Sequence, residues 1–280
     1  MTLRFASLRG RSQLVVGDGT HSVDLEKASG GRLPADPISA FARWSEVRDF
    51  AATVTDPGVP FALADLDAPS PRPPQMFGIG LNYRSHAEES KMDIPTSPLT
   101  FTKFPSSAAG PAARIPVVGG MTDWEVELVV VIAAGGRDIA ESAAWDRVAG
   151  VCIGQDISDR ALQFATKPPQ FNLGKSRRNF SPFGPWIVDA AGLADRDALR
   201  IAMTLDGEPM QSACTDDLIF SVPAIVSYLS GIVELLPGDV IFTGTPGGVG
   251  VGMKPPRFLA PGNTIVSTLV GHLSMSNVCE

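Results

Sequence analysis

Two carboxylates stand two residues apart in Trp124-Glu125-Val126-Glu127-Leu128-Val129-Val130-Val131-Ile132, a run otherwise apolar and rich in β-branched residues. That composition reads as a strand, and the period-two alternation of side chains turns both carboxylates to one face. Two ionised carboxylates side by side on a buried face cost roughly several kcal/mol unless a cation, or protonation of one of them, relieves the charge. Hard oxygen ligands of this kind favour Mg²⁺, Mn²⁺ or Ca²⁺ over zinc. An exposed strand whose polar face carries Glu twice accounts for the same spacing.

Four further segments carry residues of catalytic type. Val148-Ala149-Gly150-Val151-Cys152-Ile153-Gly154-Gln155 is a second apolar run and ends in Asp156. The following residues read as a helix capped by Ser158 or Asp156, which places Asp156, Arg160 and Gln163 at i, i+4 and i+7 on one face. A carboxylate, a guanidinium and a carboxamide on one stripe suit a metal and an anionic substrate, and also suit a solvated face with one ion pair. Gly174-Lys175-Ser176-Arg177-Arg178 groups basic residues beside turn signals; on composition it is a charged loop, too short for a nucleic-acid footprint. In Tyr83-Arg84-Ser85-His86-Ala87-Glu88-Glu89, the i, i+3 spacing of His86 and Glu89 lets the carboxylate orient the imidazole as a general base. The chain has only three histidines, His21, His86 and His272. Finally, Gly238-Asp239-Val240-Ile241-Phe242-Thr243-Gly244-Thr245-Pro246-Gly247-Gly248 runs from a strand into a glycine-rich loop whose amides could approach an oxyanion. Neither a phosphate-binding nor a dinucleotide-binding glycine motif is present, and no G-x-S-x-G marks a serine nucleophile.

In this order the segments resemble the fumarylacetoacetate hydrolase family, over roughly residues 74 to 280. The matching pieces are Gly80-Leu81-Asn82-Tyr83 with His86, Phe101-Thr102-Lys103 with Pro105-Ser106-Ser107, Glu125-x-Glu127, and Asp156-x-Ser158-x-Arg160 with Gln163. Gly174-Lys175-Ser176, Ile219-Phe220-Ser221-Val222 and Gly238 to Pro246 complete them. The resemblance implies that Glu125, Glu127 and Asp156 bind one divalent cation, usually Mg²⁺ and sometimes Mn²⁺ or Ca²⁺. It implies that Lys175 stabilises enolate or oxyanion charge, that His86 with Glu89 activates water or shuttles a proton, and that Arg160, Gln163 and Thr245 serve the substrate. The sequence departs from the family pattern at Phe104, Asp159 and Ala161, beside the metal site, so the resemblance leaves substrate choice open. The implied fold is α+β and strand-rich, a mixed β-roll core with short peripheral helices after a small N-terminal α+β domain. The implied activity is metal-dependent hydrolysis of a carbon–carbon bond in a small β-diketo or 2-oxo acid, in the breakdown of aromatic compounds, by a homodimer. An oxaloacetate-type decarboxylase and a 2-hydroxyhepta-2,4-diene-1,7-dioate isomerase are the alternatives on the same scaffold. A metal-dependent binding protein without activity is the alternative from another class, and a base together with a charge stabiliser speaks against it.

Composition agrees. A chain of 280 residues buries a sizeable core. A net charge of −7 and a pI near 5.0 argue against nucleic acid or an anionic membrane surface as partner. Cys152, Cys214 and Cys279 form neither a metal spacing nor an even disulfide framework, which favours a reducing, cytoplasmic setting. The sequence shows no signal-like apolar stretch near Met1 and no apolar run long enough to span a bilayer. The proline cluster Pro69-Ser70-Pro71-Arg72-Pro73-Pro74 divides residues 1–70 from a catalytic domain of 71–280. The first part is expected to hold strands around Gln13–Val16 and an amphipathic helix from Ile38 to Phe50. A hairpin is expected at Asp206-Gly207, and a helix from Val222 to Leu235 capped by Ser221.

Overall fold

The apolar runs 126–132 and 148–155 become adjacent antiparallel strands in the middle of a large mixed sheet. Both are buried along their whole length, the condition under which a strand reads as a near-continuous apolar run. This is a computed structural model, and it describes residues 2–90 and 93–280, with the side chains of residues 89 and 90 outside the described set. The sheet runs in the order Val59–Pro60, His21–Asp24, Arg11–Val16, Arg4–Leu8, Ser181–Asp189, Val148–Gln155, Val126–Ile132, Val240–Phe242, Met76–Gly80 and Leu99–Thr102. The pairing of Val240–Phe242 with Met76–Gly80 is parallel; its pairing with Val126–Ile132 is antiparallel. A strand-rich α+β fold with few, short helices follows, as expected.

This strand order positions the chemistry. Glu125 comes just before and Glu127 at the start of the Val126–Ile132 strand, Asp156 just past Val148–Gln155, and Gly244 just past Val240–Phe242. Because these neighbours are antiparallel, those termini meet at one edge. Glu127 stands opposite Gly154 in the register. A methyl group on Gly154 would come within 2.6 Å of Val129 Cγ2 and 2.8 Å of Phe242 Cε1, so glycine is required for the strands to close there.

A second, four-stranded antiparallel sheet joins Glu208–Cys214, Arg200–Leu205, Thr264–Leu269 and Leu273–Val278. Its first hairpin turns at Asp206 (φ 52°) and Gly207 (φ 82°), the paired positive φ of a type I′ turn. Arg4–Leu8 pairs with Ser181–Asp189, so the strands before the proline cluster continue the main sheet.

Three helices differ from the sequence expectation. The helix expected over 38–50 is two, Pro37–Phe41 and Trp44–Ala51, with Arg43 out of helical geometry between them. The break lets Phe41 and Trp44 both pack on Phe5, at ring-centroid distances of 5.2 and 5.4 Å, a tertiary contact that outweighs local propensity. Ser221 caps its helix as expected, accepting from Ala224 N, but the helix ends at Ser230. There the Ser230 carbonyl and hydroxyl accept from the Asp138 and Ile139 amides, and Leu235 pairs with Gly136. The helix after Asp156 is a single turn, Arg160–Gln163, capped by Asp159 and by neither Asp156 nor Ser158. Ser158–Asp159 stays extended because it pairs with Thr122–Asp123. Among the described residues no helix is long and apolar enough to cross a membrane.

Asn82 ties the helix Arg84–Ser90 to the sheet. It is fully buried, follows Leu81 at φ 51°, donates from Nδ2 to the carbonyls of Phe220 (3.0 Å) and Thr243 (2.7 Å), and accepts from Phe220 N (2.8 Å). Asn82→Ala leaves these buried groups unpaired and is expected to cost about 3 kcal/mol, read as a lower urea midpoint at unchanged slope. A midpoint equal to wild type would contradict the latch.

Candidate metal centre

Oxygen atoms of Glu125, Glu127 and Asp156, all buried, lie within 4.8 Å of one another. The alternation of the first strand aims the two glutamates together. Asp156 arrives by a backbone link: its amide donates to the Glu125 carbonyl (2.9 Å) across the antiparallel pair. The Glu125 amide in turn donates to Gln155 Oε1 (3.0 Å), which holds the strand end in place.

Three cations enter the same space. Lys175 Nζ donates to Glu125 Oε2 and Asp156 Oδ2, each at 2.7 Å. Lys103 Nζ donates to Asp156 Oδ1 and to the Lys175 carbonyl, and lies over the Phe242 ring. Arg160 Nη2 donates to Glu125 Oε1 (2.7 Å) and its Nε to Asp123 Oδ2 (2.8 Å). Nη1 of Arg160 donates to Gln163 Oε1 (2.9 Å). Four buried carboxylates, Asp123, Glu125, Glu127 and Asp156, therefore face three buried cations. Among the described residues no ion pair reaches Glu127, which accepts a hydrogen bond from Gly244 N (2.7 Å).

Protonation follows this imbalance. Burial, then the Asp156 and Glu125 charges, push the Glu127 carboxyl well above the usual carboxylate range. Burial also works against a charge on Glu125, but Lys175 and Arg160 outweigh it and hold that carboxyl at about 2, with His86 adding in the same sense. Lys175 keeps its proton more firmly than a free lysine, since Asp156 and Glu125 overcome its burial. Lys103 is shifted down, because burial, reinforced by the Lys175 ammonium, exceeds the pull of Asp156. The residues fit a hard divalent cation: an all-oxygen donor set holds one carboxylate charge too many, concentrated on the group without a cation.

The other sequence candidates fall around this core. His86 is half-buried in the helix Arg84–Ser90, close enough to Glu125 to affect its proton affinity. Glu89 belongs to the same helix, but its side chain is outside the described residues. Gln163 and Arg160 are adjacent and buried. Their meeting with Asp156 comes from the bend after the strand and not from a shared helix face. Thr245 is buried, with its hydroxyl donating to the Val126 carbonyl (3.0 Å) and accepting from Gln211 Nε2 (2.8 Å). Lys103 and Asp123 complete the charge cluster without having stood among the sequence candidates. Lys103 follows a short strand with one buried residue and reads locally as surface. Asp123 has a signal, since Asp123, Glu125 and Glu127 continue one period-two pattern.

Residues 75–278 match the family described as fumarylacetoacetate (FAA) hydrolase, C-terminal. A fumarylacetoacetate hydrolase domain-containing protein 2 homolog of Dictyostelium discoideum is 41% identical over 239 residues, 81% of this chain and 78% of that protein. A crystal structure from Mycobacterium smegmatis, 45% identical, superposes with a TM-score of 0.93 over 99% of this chain and 98% of that one. Maleylpyruvate hydrolase from Sphingobium sp. SYK-6, solved with manganese(II) and pyruvate, is 25% identical with a TM-score of 0.80, over 99% and 98% of the two chains.

The two glutamates contribute in opposite senses to the pH dependence of the metal-free protein, and Asp239, pushed up by burial to about 6, and the buried Asp123, also pushed up, act in the same sense as Glu127. Glu127 binds its proton more tightly folded than unfolded, so its contribution to stability is present below 4.5, the ordinary value, and declines as pH rises above it. Glu125 acts in the opposite sense: its contribution is present above 4.5 and is lost as pH falls toward 2. Urea midpoints in EDTA should therefore decline from mildly acidic pH toward neutrality. Glu127→Gln should flatten that decline, and Mn²⁺ should oppose it in wild type. An undiminished decline in Glu127→Gln would show that another group sets it.

Proposed function

Because the chain belongs to the fumarylacetoacetate hydrolase family, we propose that it is a divalent-metal-dependent hydrolase. It cleaves a carbon–carbon bond in a small β-diketo or 2-oxo acid of the acylpyruvate or fumarylacetoacetate kind, in the breakdown of aromatic compounds. The observation that carries this reading is the buried carboxylate trio with Lys175 against it and His86 close by.

Glu125, Glu127 and Asp156 would hold Mg²⁺, Mn²⁺ or Ca²⁺, which would supply an electrophile to the substrate. His86 takes a proton from water as the oxygen adds to the acyl carbon. The carbon–carbon bond then breaks, its electron pair leaves as the enolate of the 2-oxo acid, and the proton held by His86 returns to the enolate carbon. Lys175, kept protonated between two carboxylates, stabilises the negative charge that develops. Gln163 commits its carbonyl oxygen to Arg160, which leaves its N–H groups to donate to a substrate oxygen. Thr245 serves the substrate through the loop backbone that its hydroxyl fixes.

The same charge set stabilises an enolate made by decarboxylation or isomerisation, and the difference lies in the use of water by His86. The exposed Phe104, Leu162, Phe164, Phe171 and Leu173 support a homodimer in which a second copy covers them. The free cysteines support a cytoplasmic setting, and the acidic balance supports small oxo-acid substrates over nucleic acid or membrane.

Release of pyruvate or CO₂ from acetylpyruvate, fumarylpyruvate and oxaloacetate, with Mg²⁺ or EDTA, tests the reading. We expect metal-dependent pyruvate release from an acylpyruvate, abolished in Glu127→Ala and reduced about 10²- to 10⁴-fold in His86→Ala. CO₂ from oxaloacetate that survives His86→Ala would make it a decarboxylase. Inactivity of metal-loaded protein across the panel would refute acylpyruvate hydrolysis.

A further inference from the structure

Asp123 is fully buried and stands two residues before Glu125, in Asp123-Trp124-Glu125-Val126-Glu127. The outer carboxylates of this series share a task separate from holding a cation. Glu127 Oε2 accepts from Gly244 N (2.7 Å), at the start of the glycine-rich loop. Asp123 Oδ1 accepts from Gly250 N (2.8 Å) and its Oδ2 from Val251 N (3.1 Å), at the far end. The loop is thereby fastened at both ends to the carboxylate series, with Glu125 between the two anchors. Gly250 is where a side chain does not fit: a Cβ would collide with the Arg257 carbonyl and lie 2.6 Å from Asp123 Oδ1.

Asp123 also grips Arg160. Its Oδ2 accepts from Nε at 2.8 Å, and Nη2 lies 2.8 Å away as well. The same guanidinium donates to Glu125 and Gln163, so all three of its nitrogens are held. Charge-assisted bonds of this kind fix orientation, and a buried pair is costly to break whatever its net worth.

We propose that Asp123 is a positioning residue that locks the Gly244–Val251 loop and the Arg160 guanidinium into one unit. The placement of the loop along the metal centre and the aim of Arg160 at Glu125 and Gln163 are then set together. Asp123 acts through these groups and touches no reacting atom. Its consequence for substrate rests on the proposed use of Arg160, Gln163 and Thr245 toward an anionic oxo acid.

Asp123→Asn and Gly250→Ala separate the two arms. The first removes the charge that holds Arg160 while keeping the size; the second displaces the loop arm, pressing on Asp123 Oδ1 as it does so, and keeps the charge that holds Arg160. Amide hydrogen exchange, Mn²⁺ affinity by electron paramagnetic resonance, and kcat and KM on whichever panel substrate turns over are the readouts. Exchange at Gly250 and Val251 should accelerate about tenfold or more in both variants, with the Val126–Ile132 strand unchanged. Mn²⁺ affinity should stay within about threefold of wild type, and KM in Asp123→Asn should rise about tenfold with kcat changed much less. Exchange at 250–251 within about twofold of wild type, or accelerated equally throughout the protein, would overturn the proposal. So would a loss of kcat and Mn²⁺ affinity at constant KM. The exchange and Mn²⁺ readouts need no turnover, so a failure of the proposed activity leaves them able to decide the role of Asp123.

Discussion

Four carboxylates and three cations share one water-poor space, and most of the molecule is arranged so that they can. Charges of this kind are stable in a protein interior only when each is paired and hydrogen-bonded. Asp156 has a lysine on each oxygen, Glu125 has Arg160 on one and Lys175 on the other, and Asp123 has a guanidinium and backbone amides. Glu127 is the exception, with a backbone amide and, among the described residues, no ion pair. The cluster therefore favours positive charge at one point, and a divalent metal would meet that with the oxygen ligands already there.

The sheet makes this cluster affordable. The two strands that bring Glu125, Glu127 and Asp156 together are buried throughout and paired across the whole of 126–132. Their apolar packing supplies the stability that the buried charges do not. Phe242 places its ring under the Lys103 ammonium, and Phe101 lies beside that of Lys175. The short helices do a different job. Arg160–Gln163 and Phe171–Gly174 are single turns that could not persist alone. They persist because they carry buried ends, Arg160 and Lys175, into the cluster.

Much of this was legible beforehand. The run 124–132 announced a strand with two carboxylates on one face, and that face is where both lie. Asp206-Gly207 announced a hairpin, and Ser221 a helix start, through local chemistry that needs no partner. The stripe of Asp156, Arg160 and Gln163 was right in membership and wrong in cause. Helical spacing put them on one face; pairing of Ser158–Asp159 with Thr122–Asp123 keeps that stretch extended, and the bend brings them together. The helix expected over 38–50 failed for a related reason, since the aromatic contacts with Phe5 override a continuous amphipathic pattern.

By itself the sequence determined that 124–132 and 148–155 carry strands, that Glu125 and Glu127 alternate onto a shared face and that Asp206-Gly207 reverses the chain, because each depends on neighbours within a few positions. Family membership was legible for the same reason, as a series of short motifs in order. Only the tertiary structure decided that Lys103, twenty residues before Asp123, belongs to the charge cluster, and that Asp123 holds the loop at Gly250 and Val251. It also decided which of the four carboxylates has no ion pair among the described residues. Those outcomes depend on which strand lies beside which and on what burial does to a charge. Neither quantity is local: both are set by the distance in space between residues far apart along the chain.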